Sequence, residues 1–457
     1  MVASGRLLQW LQAQHARYGP IVRVGPDRLS FIQPQAWKDI YGHRSGGKQT
    51  NIKDPRFYDD MDTGGHRNVL TERDGPEHGR VRRIFSHAFS DKALKEQQPL
   101  LNNYVDQLVS NIRQAVDNNP HHTFDAVKLY NFTTFDIMAD LTFGESLGML
   151  RTSSYTDWVR NIFNSTRILA ISTIWREYGW LNTLYKLLEP PFMRRASEVH
   201  RAHSVDRVKR RLEKGDRTDN HKDIWTLVLS QPEGKGLTPE KMHSNAVIFM
   251  LAGTETTATL LSGLTYYLLR NPDKMRKLVQ EIRGAIPCED DFTLENLQRL
   301  KYLGACIEEG LRLYPPVPVP LWRVTPREGT TICDEYIPGG VRVAVSSFIA
   351  FKSPLNFKDA DSFVPERWIP GSGYDDDHRE VVQPFSVGPR NCLGKNLAYH
   401  EMRLILAKLL WNFDMTLCPQ SEGWQDQLSF ILWDKSPLLV KIKMHSESET
   451  SHSPQNA

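Results

Sequence analysis

The pattern of apolar and polar positions changes character along the chain. Near the N-terminus, "PIVRVGPDRLSFI" carries two short β-rich runs around a Gly-Pro-Asp turn, which predicts a hairpin. Residues 75–315 follow a mainly helical pattern, and "LTPE" at 237 and "NPDK" at 271 mark helix starts, each with a proline at the first helical position. From "YPPVPVPLWRVT" onward the text turns to prolines, turns and short strands such as "TTICDEYIPGGVRVAVSSF", before one further amphipathic helix, "LGKNLAYHEMRLILAKLLWNF". There are no internal repeats and no clear linker. The expected architecture is therefore a single large, mainly α domain with a smaller β-rich part over residues 1–443, and 444–457 is expected to be a disordered polar tail.

The longest apolar run, residues 244–269, is long enough to cross a bilayer, but it contains Glu255, Gly253 and five threonines. An intramembrane carboxylate is costly, so a helix buried in a large soluble core is the better reading. At helical spacing Phe249, Ala252 or Gly253, Thr256 and Leu260 share one face, and the small residues in its middle would let a flat cofactor approach the backbone. Thr256 can turn its hydroxyl to the carbonyl of Ala252 four residues back, which loosens the helix and makes room for water. With Glu255 beside it, an acid, a hydroxyl and a water would form a proton relay; plain packing of threonines in a buried helix is the commoner alternative.

Composition narrows the function without naming it. At 457 residues the chain exceeds the usual size of a domain with one core. A formal net charge of +3, spread along the chain, gives nucleic-acid binding little support. The five cysteines form no CxxC, no CxxCH and no ladder of close spacings, which argues against a disulfide scaffold, a zinc ribbon or a c-type heme attachment. No long apolar run followed by a cleavage site opens the chain, so no signal peptide is visible.

One cysteine stands out. Cys392 lies in "FSVGPRNCLG", just before a predicted helix and two residues after Arg390, a setting expected to favour a thiolate. Gly388 and Gly394 would allow a tight turn and close approach of a flat ligand to the backbone. Taken alone, such a cysteine is more often a small buried hydrophobe.

The full pattern shifts that balance. Phe385, Gly388, Arg390, Cys392 and Gly394 match the FxxGxRxCxG signature of the cytochrome P450 superfamily, and the resemblance extends over nearly the whole chain from about residue 17. "AGTETT" (252–257) resembles that family's oxygen-activation motif, "EEGLR" supplies its ExxR pair as Glu309 and Arg312, "FVPERW" resembles its PERF element with Arg367, and "HGRVR" occupies the place of WxxxR, with His78 in the tryptophan position and Arg82 as the arginine. Phrases such as "HARYGPIVRVGPD" resemble filamentous-fungal members, many of which tailor secondary metabolites.

The resemblance implies a cytochrome P450 fold, with heme b held between the long central helix and the helix that follows the Cys loop. It makes Cys392 the axial iron ligand, Arg82 and Arg390 the partners of the propionates, and Phe385, Gly388, Gly394, Ala252 and Gly253 further cofactor-binding residues. Glu255 and Thr256 become the catalytic pair, and Glu309, Arg312 and Arg367 a structural network behind the heme. Read without the family, Glu309 and Arg312 could be a surface pair worth ~0.2–0.5 kcal/mol, and Arg82 and Arg83 a solvated helix face. The implied activity is insertion of one atom of O2 into a hydrophobic small molecule. Electrons would come from NADPH through cytochrome P450 reductase, since the chain has no GxGxxG fingerprint, with cytochrome b5 as a further partner. A heme-thiolate isomerase or dehydratase that uses no O2, and a non-catalytic heme sensor or carrier, are the alternatives. The expected substrate-pocket segments are the loops around 42–75, helices around 160–205 and "VPVP" after Tyr314. Family members of this kind sit on the endoplasmic reticulum membrane through an apolar anchor of ~20 residues. Here the text begins at what would be the first helix after it, and the expectation is that an upstream segment is missing from the sequence as written.

Overall fold

A computed structural model describes residues 2–44, 50–61, 65–160, 173–174, 177, 202, 204–213, 223–229 and 236–445. Most of the expected pocket segment 160–205, parts of 42–75, and the tail from 446 lie outside the described residues.

The N-terminal hairpin forms where the alternation places it, with Ile21–Gly25 antiparallel to Arg28–Phe31 and a bulge at the turn. It is the edge of a five-stranded sheet. Next in that sheet comes Arg342–Val345, parallel to Arg28–Phe31, and then the short strands Arg323–Val324 and Ile52–Lys53. Its apolar side, with Phe31, Val343 and Val345, packs on Leu11, Trp37 and Ile40 to make a satellite core. A second sheet joins Thr123–Asp125, Leu439–Met444 and Phe413–Leu417 in antiparallel register.

The main core is helical. Gly75–Ser86, Asp91–Asn118, Ala126–Phe143, Pro239–Arg270, Pro272–Ala285, Lys301–Leu313 and Lys395–Asn412 are the helices that build it. The two start signals fall as expected: Thr238 caps the central helix, accepting from the Lys241 N–H at 3.4 Å, and Pro239 and Pro272 open their helices. The central helix Pro239–Arg270 is apolar enough to span a membrane, yet 72% of its most apolar window is buried inside the protein. A helix apolar on every side is what the middle of a large core requires. Two glycines allow close approach in it: a Cβ at Gly263 would stand 2.3 Å from the Tyr314 ring, and one at Gly253 2.7 Å from the Met138 side chain on Ala126–Phe143.

Two buried ionisable residues sit side by side on the helix after the Cys loop. Burial pushes the Glu401 carboxyl up to about 8, against a hydrogen bond from Thr257, and lowers the neighbouring His400 to about 4. Glu401 is therefore protonated in the native state at neutral pH and ionised when unfolded, so its contribution is fully present below about pH 4.5 and is lost as pH rises toward about 8. Glu401→Gln cannot titrate and retains His400. Across that window its stability should gain on the wild type with a slope approaching ~1.4 kcal/mol per pH unit. Parallel urea melts at stepped pH values check this; curves that stay parallel would place the ionisation elsewhere.

Candidate active site

The Cys loop is shaped by its glycines and by backbone bonds. Gly388 has φ +76°, and a Cβ there would meet Tyr41 O at 2.1 Å, so only glycine fits this turn. The Cys392 N–H donates to Phe385 O at 2.8 Å, closing the loop, while the Phe385 ring lies 5.2 Å from that of Tyr399. Gly394 precedes Lys395–Asn412, and a Cβ there would reach the Phe89 ring at 3.8 Å, an ordinary contact. Phe89 in turn stacks edge-on to Phe249 of the central helix, with centroids 5.9 Å apart. One aromatic side chain thus spans from the Cys loop to the central helix.

On that helix Ala252 is exposed and Thr256 half-exposed, although Met250, Thr254, Ala258 and Leu260 are buried. Exposure in the middle of an otherwise buried helix marks a turn that faces space and not a packed neighbour. Thr256 Oγ1 donates to Ala252 O at 2.6 Å, the bond expected from the spacing. Cys392 is likewise exposed, yet burial is the strongest influence on its thiol, so its sulfur also faces an enclosed region rather than bulk solvent. Here the structure differs from the sequence expectation. Burial raises the thiol overall, against the lowering by the Gly394 N–H, Arg82 and Lys395. The loop alone does not make a thiolate; a coordinated metal would, since ligation deprotonates a thiol outright.

Two other expected site residues have further neighbours. Gly253 is half-exposed and packs against Met138. Glu255 is 3% exposed and forms an ion pair with Lys435, and its Oε2 has no hydrogen-bond partner among the described residues.

The rim of the site is cationic. Arg82 donates to Asn391 O at 2.6 Å and to Asn391 Oδ1 at 2.5 Å, and Arg390 donates to Glu72 O and to Arg73 O, the latter at 2.9 Å. The structure adds three residues that the sequence reading did not assign: Lys53, Arg323 and His78 are all buried and within electrostatic reach of Arg82 and Arg390. Among the described residues Lys53, Arg82, Arg323 and Arg390 form no ion pair with a carboxylate. Their mutual repulsion shows in their ionisation. Burial, and then Arg323 and Arg390, hold Lys53 well below its ordinary range. Burial and Arg323 lower Arg390 to about 10, and burial with Arg390 and Lys53 lowers His78 to about 3. The carboxylate that Lys53 and Arg390 feel, Glu72, pairs at 3.5 Å with Arg67. A buried excess of positive charge is unfavourable unless an anion completes it.

Behind the loop, Glu309, Arg312 and Arg367 are fully buried and joined. Glu309 Oε1 accepts from Arg312 Nη2 at 2.7 Å and Arg367 Nε at 3.1 Å, and Oε2 accepts from Arg312 Nε at 2.8 Å and Trp368 Nε1 at 3.0 Å.

A thiol in a loop joined through Phe89 to an open helical turn, beside cations that have no ion-pair partner among the described residues, suits a flat anionic cofactor carrying a metal, as a heme-thiolate protein holds. Among the described residues no cluster of three His, Cys, Asp or Glu side chains could bind a metal ion. The chain belongs to the cytochrome P450 family, whose model, described as Cytochrome P450, matches residues 2–442. It is similar to three fungal proteins. Cytochrome P450 monooxygenase FUM2 of Gibberella moniliformis is 54% identical, covering 96% of this chain and 93% of that protein. The monooxygenases efuB of Hormonema carpetanum and AMT3 of Alternaria alternata are 48% and 45% identical, covering 95% and 96% of this chain and 86% and 89% of their own lengths. The chain is a cytochrome P450 monooxygenase, and its family's cofactor is a heme iron, which the thiol and the cationic rim fit.

Proposed function

We propose that this chain binds heme b through Cys392 and hydroxylates or epoxidises a hydrophobic small molecule in fungal secondary metabolism. Arg82 and Arg390, backed by Lys53, Arg323 and His78, take the two propionates, which supply the negative charge the rim lacks. Heme iron held by the Cys392 thiolate would supply the cleavage of O2. The chain's own residues do the rest. Phe249, in contact with Phe85 (centroids 4.8 Å) and Phe89, walls the open turn with apolar surface and keeps bulk water out. Thr256 Oγ1 moves its proton from Ala252 O to the cavity, and Glu255 resupplies it. Electrons arrive from NADPH through cytochrome P450 reductase, with cytochrome b5 as a second donor, at the cytosolic face of the endoplasmic reticulum. The exposed cations Arg83 and Lys395, on the two helices that flank the Cys loop, favour an acidic partner there.

The observation that carries this reading is the open turn at Ala252–Thr256, where a hydroxyl is bonded to a carbonyl it can leave. Thr256→Ala tests it. Heme content and the carbon-monoxide spectrum should persist, because the thiol and the rim are untouched. Product formation should fall by about 10²-fold, the lower end of what a positioned proton donor contributes, while NADPH is still consumed and peroxide accumulates. Unchanged product per NADPH would reduce Thr256 to a packing residue.

A further inference from the structure

The relay carboxylate has a partner that nothing in its local sequence announces. Lys435, 180 residues downstream, binds Glu255 Oε1 and also donates to Thr259 Oγ1 at 2.5 Å, while Thr259 Oγ1 lies 3.4 Å from the same carboxylate oxygen. Both charged side chains are 4% exposed. The segment that presents the lysine is held on both sides. Trp433 stacks on Tyr314 with centroids 4.7 Å apart and donates to Pro315 O at 2.8 Å, and Trp424 donates to Ser436 O at 2.8 Å. Lys435 is thus fixed by its neighbours, not a flexible side chain that happened on an acid.

We propose that Lys435 is the positioning residue of the proton relay: it anchors Glu255 by Oε1 as a carboxylate and leaves Oε2 as the one oxygen through which a proton enters and leaves. The inference rests on the relay reading above. Stability alone accounts poorly for the arrangement. A buried ion pair often does no better than apolar residues of the same volume, and here one carboxylate oxygen is left without a partner. An unsatisfied buried acceptor is a cost to the fold but a requirement for a group that must accept a proton. The charge balance points to the same residue. Among the described residues Tyr155 and Tyr314 also feel Glu255, and burial pushes both phenols up, so they stay neutral and Lys435 supplies the compensating charge.

The test uses holoenzyme carrying Lys435→Met, Lys435→Arg, Glu255→Gln and the Lys435→Met/Glu255→Gln pair. Infrared spectra at neutral pH should show a new protonated-carboxyl band in Lys435→Met that is absent from the wild type and from the pair. With the carbon-monoxide spectrum intact, product per NADPH in Lys435→Met should be about tenfold lower, short of the loss of a proton donor itself. Lys435→Arg should restore both readouts. Should Lys435→Met fail to fold, Lys435→Gln, which keeps a hydrogen bond without the charge, replaces it. If Glu255→Gln loses coupling while Lys435→Met retains a charged Glu255 and wild-type coupling, the inference falls and the relay stands. If Glu255→Gln couples like the wild type, the relay reading falls, and the infrared band still decides whether Lys435 holds the carboxylate charged.

Discussion

Cys392→Ser is expected to abolish the strongly red-shifted Soret band that the reduced, carbon-monoxide-bound protein shows when a thiolate ligates its heme, and with it all product formation. The loop is built around this position: its N–H closes the turn to Phe385 O, and Gly388 occupies a conformation and a space that no other residue fits. Serine preserves that geometry and removes the one atom that can push electron density to the iron. Since burial already holds even the thiol above its ordinary range, a far less acidic hydroxyl will not ionise there. The other four cysteines serve as controls. Cys306 and Cys418 are buried, and Cys288 and Cys333 lie outside the Cys loop, so their single replacements should leave the band in place. A serine variant at 392 that keeps the red-shifted band would overturn the assignment of the ligand.

Legibility in the sequence followed distance along the chain. The Cys loop, the Glu309 and Arg312 pair and the Thr256 to Ala252 hydrogen bond were readable because each lies within one turn or one helix, where spacing fixes geometry. The N-terminal hairpin and the two proline-marked helix starts were readable for the same reason. The cationic rim was not. Lys53, His78 and Arg323 come from a strand, a helix and a second strand, and only the antiparallel register of Lys53 with Arg323 and the path of Gly75–Ser86 bring them together. Nothing local marks Lys53 or Arg323, and His78 was marked only by its place in the WxxxR element; a buried basic residue without an ion-pair partner is the signal a structure gives. Lys435 escaped for the same reason, being one of many lysines until the fold seats it on Glu255. At Gly253 and Glu255 spacing gave the residue but not its neighbours: Met138 packs against Gly253, and Lys435 pairs with Glu255.

Glu309→Ala should have the second large effect, on the fold rather than on the chemistry. The carboxylate binds two guanidinium groups, the Trp368 indole and the Val364 N–H at 2.9 Å, and every one of these charged side chains is fully buried. Arg312 continues to the carbonyls of Phe351 (2.9 Å), Ala360 (2.6 Å) and Ser362 (2.9 Å), and Arg367 to Lys358 O (3.0 Å) and to Asp377. Removing Glu309 leaves Arg312 with backbone carbonyls alone and Arg367 with Asp377 as its single counter-charge. Removing one partner from a buried ionic cluster costs ~3–5 kcal/mol, against a total stability of about 5–15 kcal/mol for a folded protein. Desolvation, not the lost attraction, decides the outcome: an exposed pair at the same spacing would cost well under about 1 kcal/mol. The variant should therefore accumulate mostly as insoluble or heme-free protein, and any soluble fraction should unfold at much lower urea. Glu309→Gln separates charge from shape: its single amide oxygen keeps an acceptor for either Val364 or Trp368, Arg312 loses its counter-charge and Arg367 keeps only Asp377, so it should be nearly as damaging. A Glu309→Ala protein with wild-type heme content and an unshifted urea midpoint would mean that the backbone carbonyls alone solvate both arginines and that the cluster contributes nothing to holding the loop behind Cys392.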